Sequence, residues 1–325
     1  MPKVSVIIPA YKAITYLPET MEDVLSQTFD NFEVIVVNDG STDETEQWVS
    51  QIADSRVKLI SQENRGLAGA RNTGINHARG KFIAFLDADD LWDPTKLEKQ
   101  VRILEENSEV GLVYTWVAYI DEQGKSTGRV FKNQAEGDVW KELIEHNIVE
   151  CGSVAMVRRY CFETCGVFDR NLGSFVEDWD MWLRIASRYA FKVIKEPLVY
   201  YRQLPMSASK NWEAMERSFR LVIEKAFASS SPELLYLKER SYGTVDLYLA
   251  WKALQSHNKD YKKAAYLRGS AVAHYPKLRF SKEYLRLSVA IALMQWFGSD
   301  GYKKFLLLFY ALRRRLLTVT QQNFP

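Results

Sequence analysis

The run Val4-Ser5-Val6-Ile7-Ile8 is almost continuously apolar and β-branched, with no polar face to turn towards water. A strand of that kind must be covered on both sides, which in practice means the interior of a parallel sheet with helices on each face. The pattern recurs at Phe32 to Val37, Val57 to Ile60 and Phe82 to Leu86. Pro9 is expected to stop the first run, because it has no amide hydrogen to give a ladder. Helices are expected between the runs: over Tyr16 to Gln27, from the turn Asn38-Asp39-Gly40-Ser41-Thr42-Asp43 with Ser41 or Thr42 as cap, and over Gly66 to Ala78. After the fourth run, Asp93 is placed to cap a helix with Pro94 at its first position, and Leu97, Val101 and Leu104 mark its buried face. This succession implies right-handed crossovers and an open α/β sheet, whose ligands bind at the carboxyl ends of the strands.

Beyond residue 110 the regularity is lost. Val110 to Ile120, Gly152 to Val157 and Phe191 to Tyr201 read as strands, the last broken by Pro197, while Val139 to Glu145 and Asp178 to Tyr189 read as helices. From Asn211 almost everything is helical, with breaks at Ser256-His257-Asn258 and Tyr275-Pro276. The expected organisation is residues 1–209 as one α/β domain, with a regular half (1–110) and a mixed half (111–209), followed by a basic helical region over 210–325. Charge divides the same way. Up to Pro205 there are 23 Lys and Arg against 32 Asp and Glu; from Met206 onwards there are 20 against 9. Such asymmetry points to an anionic surface facing the second region.

The chain of 325 residues is 47% hydrophobic and 26% charged, which excludes a disordered or polytopic membrane protein. Cys151, Cys161 and Cys165 make neither a disulfide framework nor a zinc pattern and read as small buried side chains in a reducing compartment. The start Met-Pro-Lys-Val-Ser lacks a basic n-region and a cleavable apolar stretch, so no secretory signal is expected. No apolar run approaches the ~20 residues of a membrane-spanning helix.

Chemistry gathers at the strand ends. Pro9-Ala10-Tyr11 follows the first, Asn38-Asp39-Gly40-Ser41 the second, Asn64-Arg65-Gly66 the third, and Asp87-Ala88-Asp89-Asp90 the fourth. Three carboxylates within four positions repel one another unless a cation joins them. A hard divalent ion, magnesium or manganese bridging a diphosphate, would do so; an acidic turn leading to the Asp93 cap is the alternative. Arg65 and Arg71 lie near the start of a helix of small residues, a suitable place for a phosphate, or for a surface arginine on a closely packed helix. A third cluster, Phe175-Val176-Glu177-Asp178-Trp179-Asp180-Met181-Trp182, sets carboxylates among aromatics. A partly desolvated carboxylate there could serve as a base, and Trp179 and Trp182, three apart on a helix, could stack on a sugar; a helix cap with core tryptophans is the other reading. The four histidines are scattered and suggest neither a triad nor a zinc site.

In order and spacing, Val4 to Tyr11, Glu33 to Asp43, Asn64 to Asn72, Phe85 to Asp90 and Glu177-Asp178 resemble the family 2 glycosyltransferases over residues 1 to about 205. The resemblance implies a GT-A fold with residues 1–110 as its nucleotide-binding half and 111–209 as its acceptor half, a nucleotide-diphosphate-sugar donor, a divalent metal and inversion at the anomeric carbon. It implies that Pro9, Ala10 and Tyr11 line the base pocket and that Asp39 hydrogen-bonds the base. It puts Arg71 near base and diphosphate, and Asp87 and Ala88 near the ribose or metal. Asp89 would be the metal ligand, with Asp87 beside it, and Asp178 the base; Glu177, Trp179 and Trp182 would face the acceptor. One departure stands out: where such enzymes often read Tyr-Arg-x-His-Pro, this chain has Tyr201-Arg202-Gln203-Leu204-Pro205, with leucine in the histidine's place. A nucleotidyltransferase would also unite sheet, carboxylates and metal, but it wants a glycine-rich basic loop that Pro9-Ala10-Tyr11-Lys12 lacks. A degenerate nucleotide- or sugar-binding module is the non-enzymatic alternative.

From Lys259 to Arg315 there are 13 Lys and Arg against 3 Asp and Glu, and Phe305 to Leu312 lies between Lys303-Lys304 and Arg313-Arg314-Arg315. Apolar bulk flanked by cations suits an interfacial helix; a helical cap packing its apolar face on the catalytic domain or on a second subunit, with a solvated basic face, is the alternative. The expected partners are therefore the donor, a saccharide or lipid-linked acceptor, and an anionic membrane surface through residues 285–319; a homo-oligomer is compatible, and nucleic acid is not expected. The expected setting is cytoplasmic, peripheral at the inner face of the membrane, in cell-envelope polysaccharide or glycolipid synthesis.

Overall fold

The computed structural model describes residues 1–172, 176–204, 212–228, 232–256 and 259–321, with side chains described for these except 212, 299, 300, 303 and 305–321. The chain divides into two compact units, one of residues 1–209 with 217–232 and one of residues 210–216 with 233–325.

The first unit is built on a nine-stranded sheet: β1 (Val4–Ala10), β2 (Phe32–Asp39), β3 (Val57–Gln62), β4 (Phe82–Phe85), β5 (Leu91–Trp92), β6 (Val110–Ile120), β7 (Ser126–Phe131), β8 (Met156–Arg158) and β9 (Ala190–Arg202). Their order is β3-β2-β1-β4-β8-β6-β9-β5, with β7 on β6. The run β3-β2-β1-β4 is parallel throughout. Beyond it the sheet is mixed, β8 being antiparallel to β4 and β6, and β9 parallel to β6. Helices α1 (Leu17–Leu25), α2 (Thr45–Ser50), α3 (Gly66–His77), α4 (Lys96–Glu106), α5 (Trp140–Glu145), α6 (Arg159–Cys165) and α7 (Glu177–Ala186) complete the series up to β9. The α4 face expected from Leu97, Val101 and Leu104 is buried, as is the Leu17, Met21 and Val24 face of α1. The small residues of α3 have a steric reason: a Cβ on Gly74 would stand 2.3 Å from Ile7 Cγ2, so helix and β1 touch through glycine.

Several expectations need correction. β1 does not stop at Pro9 but runs to Ala10. Lys3 and Ile7 turn their carbonyls towards β4, accepting from the Phe82 and Leu86 amides. By alternation Pro9 faces the same side, where β4 has already ended, so its missing N–H costs no ladder bond. Neither Ser41 nor Thr42 caps α2: Ser41 Oγ accepts from the Lys12 amide, and Asp43 Oδ1 accepts from the Thr45 amide. Asp93 Oδ1 accepts from the Thr95 amide, and α4 begins at Lys96, so Pro94 precedes the helix. Gly152 to Val154 is a short 3-10 turn and only β8 beyond it is strand. Pro197 does not break β9, because its pairing with β6 shifts between Ile194 and Pro197 and bulges the proline in. β5, β7 and α6 were not expected.

The second unit is helical: α9 (Tyr236–Gln255), α10 (Tyr261–His274) and α11 (Lys282–Gln321), with a non-helical Gly298 inside α11. The division between the units falls within α8 (Trp212–Ala228). Leu249, Ala253, Ala264, Leu267, Ala271, Leu287 and Ile291 form the core of the second unit. Asp260 caps α10 by accepting from the Lys263 amide at 2.9 Å. The expected interfacial stretch Phe305 to Leu312, and Pro205 of the departing motif, lie outside the residues whose side chains are described.

Candidate active site

Parallel pairing in the order β2-β1-β4 sets the ends of these strands on one edge. Pro9 and Ala10 are buried at the end of β1, and Tyr11 is 50% exposed beyond it. The next amide, of Lys12, donates to Ser41 Oγ at 3.1 Å, which ties the β1 loop to the β2 loop. Asp39, at the end of β2, is buried: Oδ1 accepts from Gln62 Nε2 at 2.6 Å and the Arg65 amide at 2.8 Å, and its carbonyl accepts from Asn64 Nδ2 at 3.0 Å. Asp39 therefore fastens the β3–α3 loop to the end of β2.

The acidic loop after β4 separates into distinct roles. Asp90 is buried, accepting from Ser153 Oγ at 2.6 Å and from the Arg202 amide at 3.0 Å. The same Ser153 Oγ accepts from the Asp87 amide at 3.1 Å. Arg202 Nε donates to the Asp89 carbonyl at 2.8 Å, and Thr20 Oγ1 donates to the Ala88 and Asp90 carbonyls. Asp90 is thus the structural member, and burial, followed by its acidic neighbours, pushes its pKa well above the usual carboxylate range. Asp87, Ala88 and Asp89 remain partly exposed. Burial first, and Asp87 second, push Asp89 up to about 6.

Arg71, expected near base and diphosphate, lies inside the protein at 2% exposure. Nη2 donates to Asp87 Oδ1 and Nη1 to Glu177 Oε1, each at 2.8 Å. The guanidinium packs over the rings of Phe168 and Phe85. A Cβ at Gly152 would stand 2.5 Å from Nη2, so the glycine makes room for the arginine. Burial opposes the charge, but Asp87 and Glu177 outweigh it and raise the Arg71 pKa. Arg71 therefore joins the loop after β4 to the start of α7, and its two terminal nitrogens are committed there. Glu177, expected towards the acceptor, is likewise buried in this pair.

Asp178 follows Glu177 and is partly exposed. Its Oδ1 accepts from the Trp179 amide at 2.6 Å. Burial first, and then Glu177, push its pKa up to about 7 against the pull of Arg71 and the Trp179 amide. A carboxylate that is reachable and poised near neutrality is suited to take a proton. Asp180 is not equivalent: it is buried and held by Arg184 and Lys225. Trp179 and Trp182, expected as a stacking face for a sugar, are core residues. Trp179 Nε1 donates to the Leu143 carbonyl and its ring meets Phe219, while Trp182 packs on Phe85 and Phe168. Neither presents a free face, because α7 buries that side of itself.

Sequence reasoning missed Ser153, Thr20 and Arg202. Arg202 is visible in the sequence beside Tyr201, but nothing local marks it as a brace. Its side chain also reaches Glu19 Oε2 at 2.7 Å and the Glu122 carbonyl, so it braces the acidic loop from three directions. Leu204 is partly exposed just after β9.

A model of the family described as Glycosyl transferase family 2 matches residues 5–166. An uncharacterized glycosyltransferase of Rickettsia felis is 34% identical over 269 residues, which are 81% of this chain and 43% of that one. One from Methanocaldococcus jannaschii is 35% identical over 210 residues, 62% of this chain and 71% of that one. The chain spans 43% of the length of each of two Rickettsia relatives, from R. felis and R. conorii. Among solved structures, the mannosyltransferase PcManGT from Pyrobaculum calidifontis, in complex with GDP-Man and Mn2+, aligns with a TM-score of 0.57 and 22% identity over 92% of this chain and 88% of that one. S. aureus TarS 1-349 in complex with UDP aligns with a TM-score of 0.54 and 19% identity over 88% of this chain and 92% of that one. The chain belongs to glycosyltransferase family 2. Its curled mixed sheet, flanked by helices and followed by a helical region, is the GT-A type of fold that the resemblance implied.

Proposed function

We propose that this chain is an inverting glycosyltransferase that moves a sugar from a nucleotide-diphosphate sugar to an acceptor hydroxyl. The observation that carries the reading is the place of Asp178, a partly exposed carboxylate at the start of α7, next to the Glu177 that Arg71 ties to the acidic loop. The donor base lies against Pro9, Ala10 and Tyr11 with Asp39 at its edge, and the ribose lies near Asp87 and Ala88. Asp178 takes the proton from the acceptor hydroxyl, which attacks the anomeric carbon from the face opposite the leaving diphosphate. Arg71 orients Asp87 and the Glu177-Asp178 step without touching the donor. The neighbours PcManGT with GDP-Man and TarS with UDP support a nucleotide donor.

The residues fit a divalent ion. Among the described residues no cluster of three or more His, Cys, Asp or Glu side chains makes a ready metal site. Magnesium and manganese, however, are commonly held by one or two carboxylates together with substrate phosphates. Asp89 is such a carboxylate: partly exposed, crowded by Asp87, and with Arg202 spent on its carbonyl rather than its side chain. Asp89 would hold the ion, with Asp87 beside it, and a bound Mn2+ or Mg2+ would neutralise charge on the leaving diphosphate. The Mn2+ in PcManGT supports this. We further place the reaction on the cytoplasmic side, in envelope polysaccharide or glycolipid synthesis with a saccharide or lipid-linked acceptor, on the strength of the basic helical region.

Donor turnover across a panel of UDP- and GDP-sugars, with and without Mn2+, tests the reading; no turnover or metal-dependent binding of any nucleotide sugar would sink it. Asp89→Ala is expected to abolish metal-dependent turnover while leaving the circular dichroism and melting curve intact. Full activity of that variant, or of the wild type in excess EDTA, rejects the metal assignment. A second expectation is the pH profile. The base works deprotonated, so kcat/KM should rise about tenfold per pH unit below about 7 and level off above it. A profile that is flat from mildly acidic to mildly alkaline pH removes Asp178 from the role.

A further inference from the structure

The first half of α11, from Lys282 to Phe297, carries two apolar faces on opposite sides. At about 100° per residue, Leu287, Ala290, Ile291 and Met294 fall on one side, and all four are buried in the second unit. Leu285, Val289 and Trp296 fall within about 40° of one another on the opposite side, and they are 55%, 54% and 78% exposed. Phe280, just before the helix, and Phe297, at its end, are 80% and 62% exposed. A helix in a soluble protein has one such stripe. A second, extending roughly 16 Å from Leu285 to Trp296, is apolar surface set aside for contact.

Charge chooses the occupant. Between Lys277 and Phe297 stand Lys277, Arg279, Lys282 and Arg286, all exposed, against a single acid, Glu283. Lys282 and Arg286 fall on one flank of the stripe, and Lys277 and Arg279 lie in the 3-10 turn Pro276–Phe280 that leads into it. A second copy of the chain meeting this face across a two-fold axis would bring the two cationic sets together. A leucine, valine and tryptophan stripe edged by lysine and arginine is the composition of a helix lying in a lipid interface. Among the described residues no helix is long and apolar enough to cross a membrane.

We infer that this face, Phe280 to Phe297, docks on an anionic lipid bilayer with α11 lying along the interface. The inference does not depend on the donor chemistry, so its test needs no turnover. The full chain is mixed with sedimenting vesicles of phosphatidylcholine, with or without phosphatidylglycerol, at low and high salt. It should sediment with the anionic vesicles at low salt, weakly at high salt, and little with the neutral ones. The triple variant Leu285→Gln, Val289→Gln, Trp296→Gln, changed only at exposed positions, should keep the wild-type melting curve and bind about tenfold more weakly. The variant Lys277→Glu, Lys282→Glu, Arg286→Glu should lose its preference for anionic lipid. Three results would each overturn the inference. The wild type could stay in the supernatant with anionic vesicles at low salt. The glutamine variant could sediment like the wild type. Or the wild type could elute as a dimer that the glutamine variant converts to monomer, which would assign the stripe to self-association.

Discussion

Arg71→Met is expected to destabilise the fold by about 3–5 kcal/mol, because it leaves Glu177 and Asp87 without the cation that compensates their burial. At about 2–4 °C per kcal/mol for a unit of this size, the melting temperature should fall by roughly 10 °C. The loss depends on pH in a fixed direction. Burial already raises Glu177 above the usual glutamate range, and Arg71 holds it down. Without Arg71 the folded chain binds this proton more tightly still. It then holds more protons than the unfolded chain above the ordinary glutamate pKa, so the deficit widens as pH rises through that window and narrows in acid. Adding Glu177→Gln should recover part of the loss, since a neutral amide tolerates burial better than an unpaired carboxylate. Urea or thermal melts of the two variants at pH 5 and 8 check this, and a single variant as stable as the wild type at pH 8 would show that the bridge is not structural.

Asp178→Asn is expected to lose transfer by about 10²–10⁴-fold, the usual worth of a general base, with donor binding retained. Stability is the companion measurement. The asparagine oxygen can keep accepting the Trp179 amide. A carboxylate whose folded pKa is raised to about 7 weakens the fold as pH rises from the ordinary aspartate value through 7. At pH 8 the asparagine variant should therefore be at least as stable as the wild type. Lost transfer with an undiminished melting temperature marks a catalytic carboxylate, whereas loss of both would return Asp178 to a supporting role.

The parallel half of the sheet was legible because its physics is local. A strand buried on both faces is mostly apolar: β4 is wholly so, β1 is broken only by Ser5, and β2 carries the unbroken run Val34 to Val37 after Glu33, whose carboxylate accepts from Ser5 Oγ. β7, by contrast, is Ser-Thr-Gly-Arg-Val-Phe and mostly exposed, so its composition carried no burial signal and only the pairing with β6 makes it a strand. The positions of the acidic loop and of Glu177-Asp178 were also readable, since both stand at element ends. Their division of labour was not. The Asp90 carboxylate differs from that of Asp89 through Ser153 and Arg202, which arrive 63 and 112 residues later. Arg71 turned inward because Glu177, 106 residues on, was there to meet it. Trp179 and Trp182 share a helical spacing that serves a core and a sugar platform equally well, and only the presence of Phe85, Phe168 and Phe219 against them decides for the core.

The brace from Arg202 to the acidic loop bears on where this protein could be cut. The family match ends at residue 166, a tempting boundary for a minimal fragment. A chain ending there would keep Asp87 and Asp89 but lose β9, and with it the antiparallel partner of Leu91–Trp92 and the amide that holds Asp90. It would also release Arg71 from Glu177. On the ribosome the same dependence sets an order of events, because the acidic loop is made early and lacks its Arg202 brace until more than a hundred further residues have emerged. A transplantable fragment that keeps the acidic loop braced therefore has to extend through Arg202.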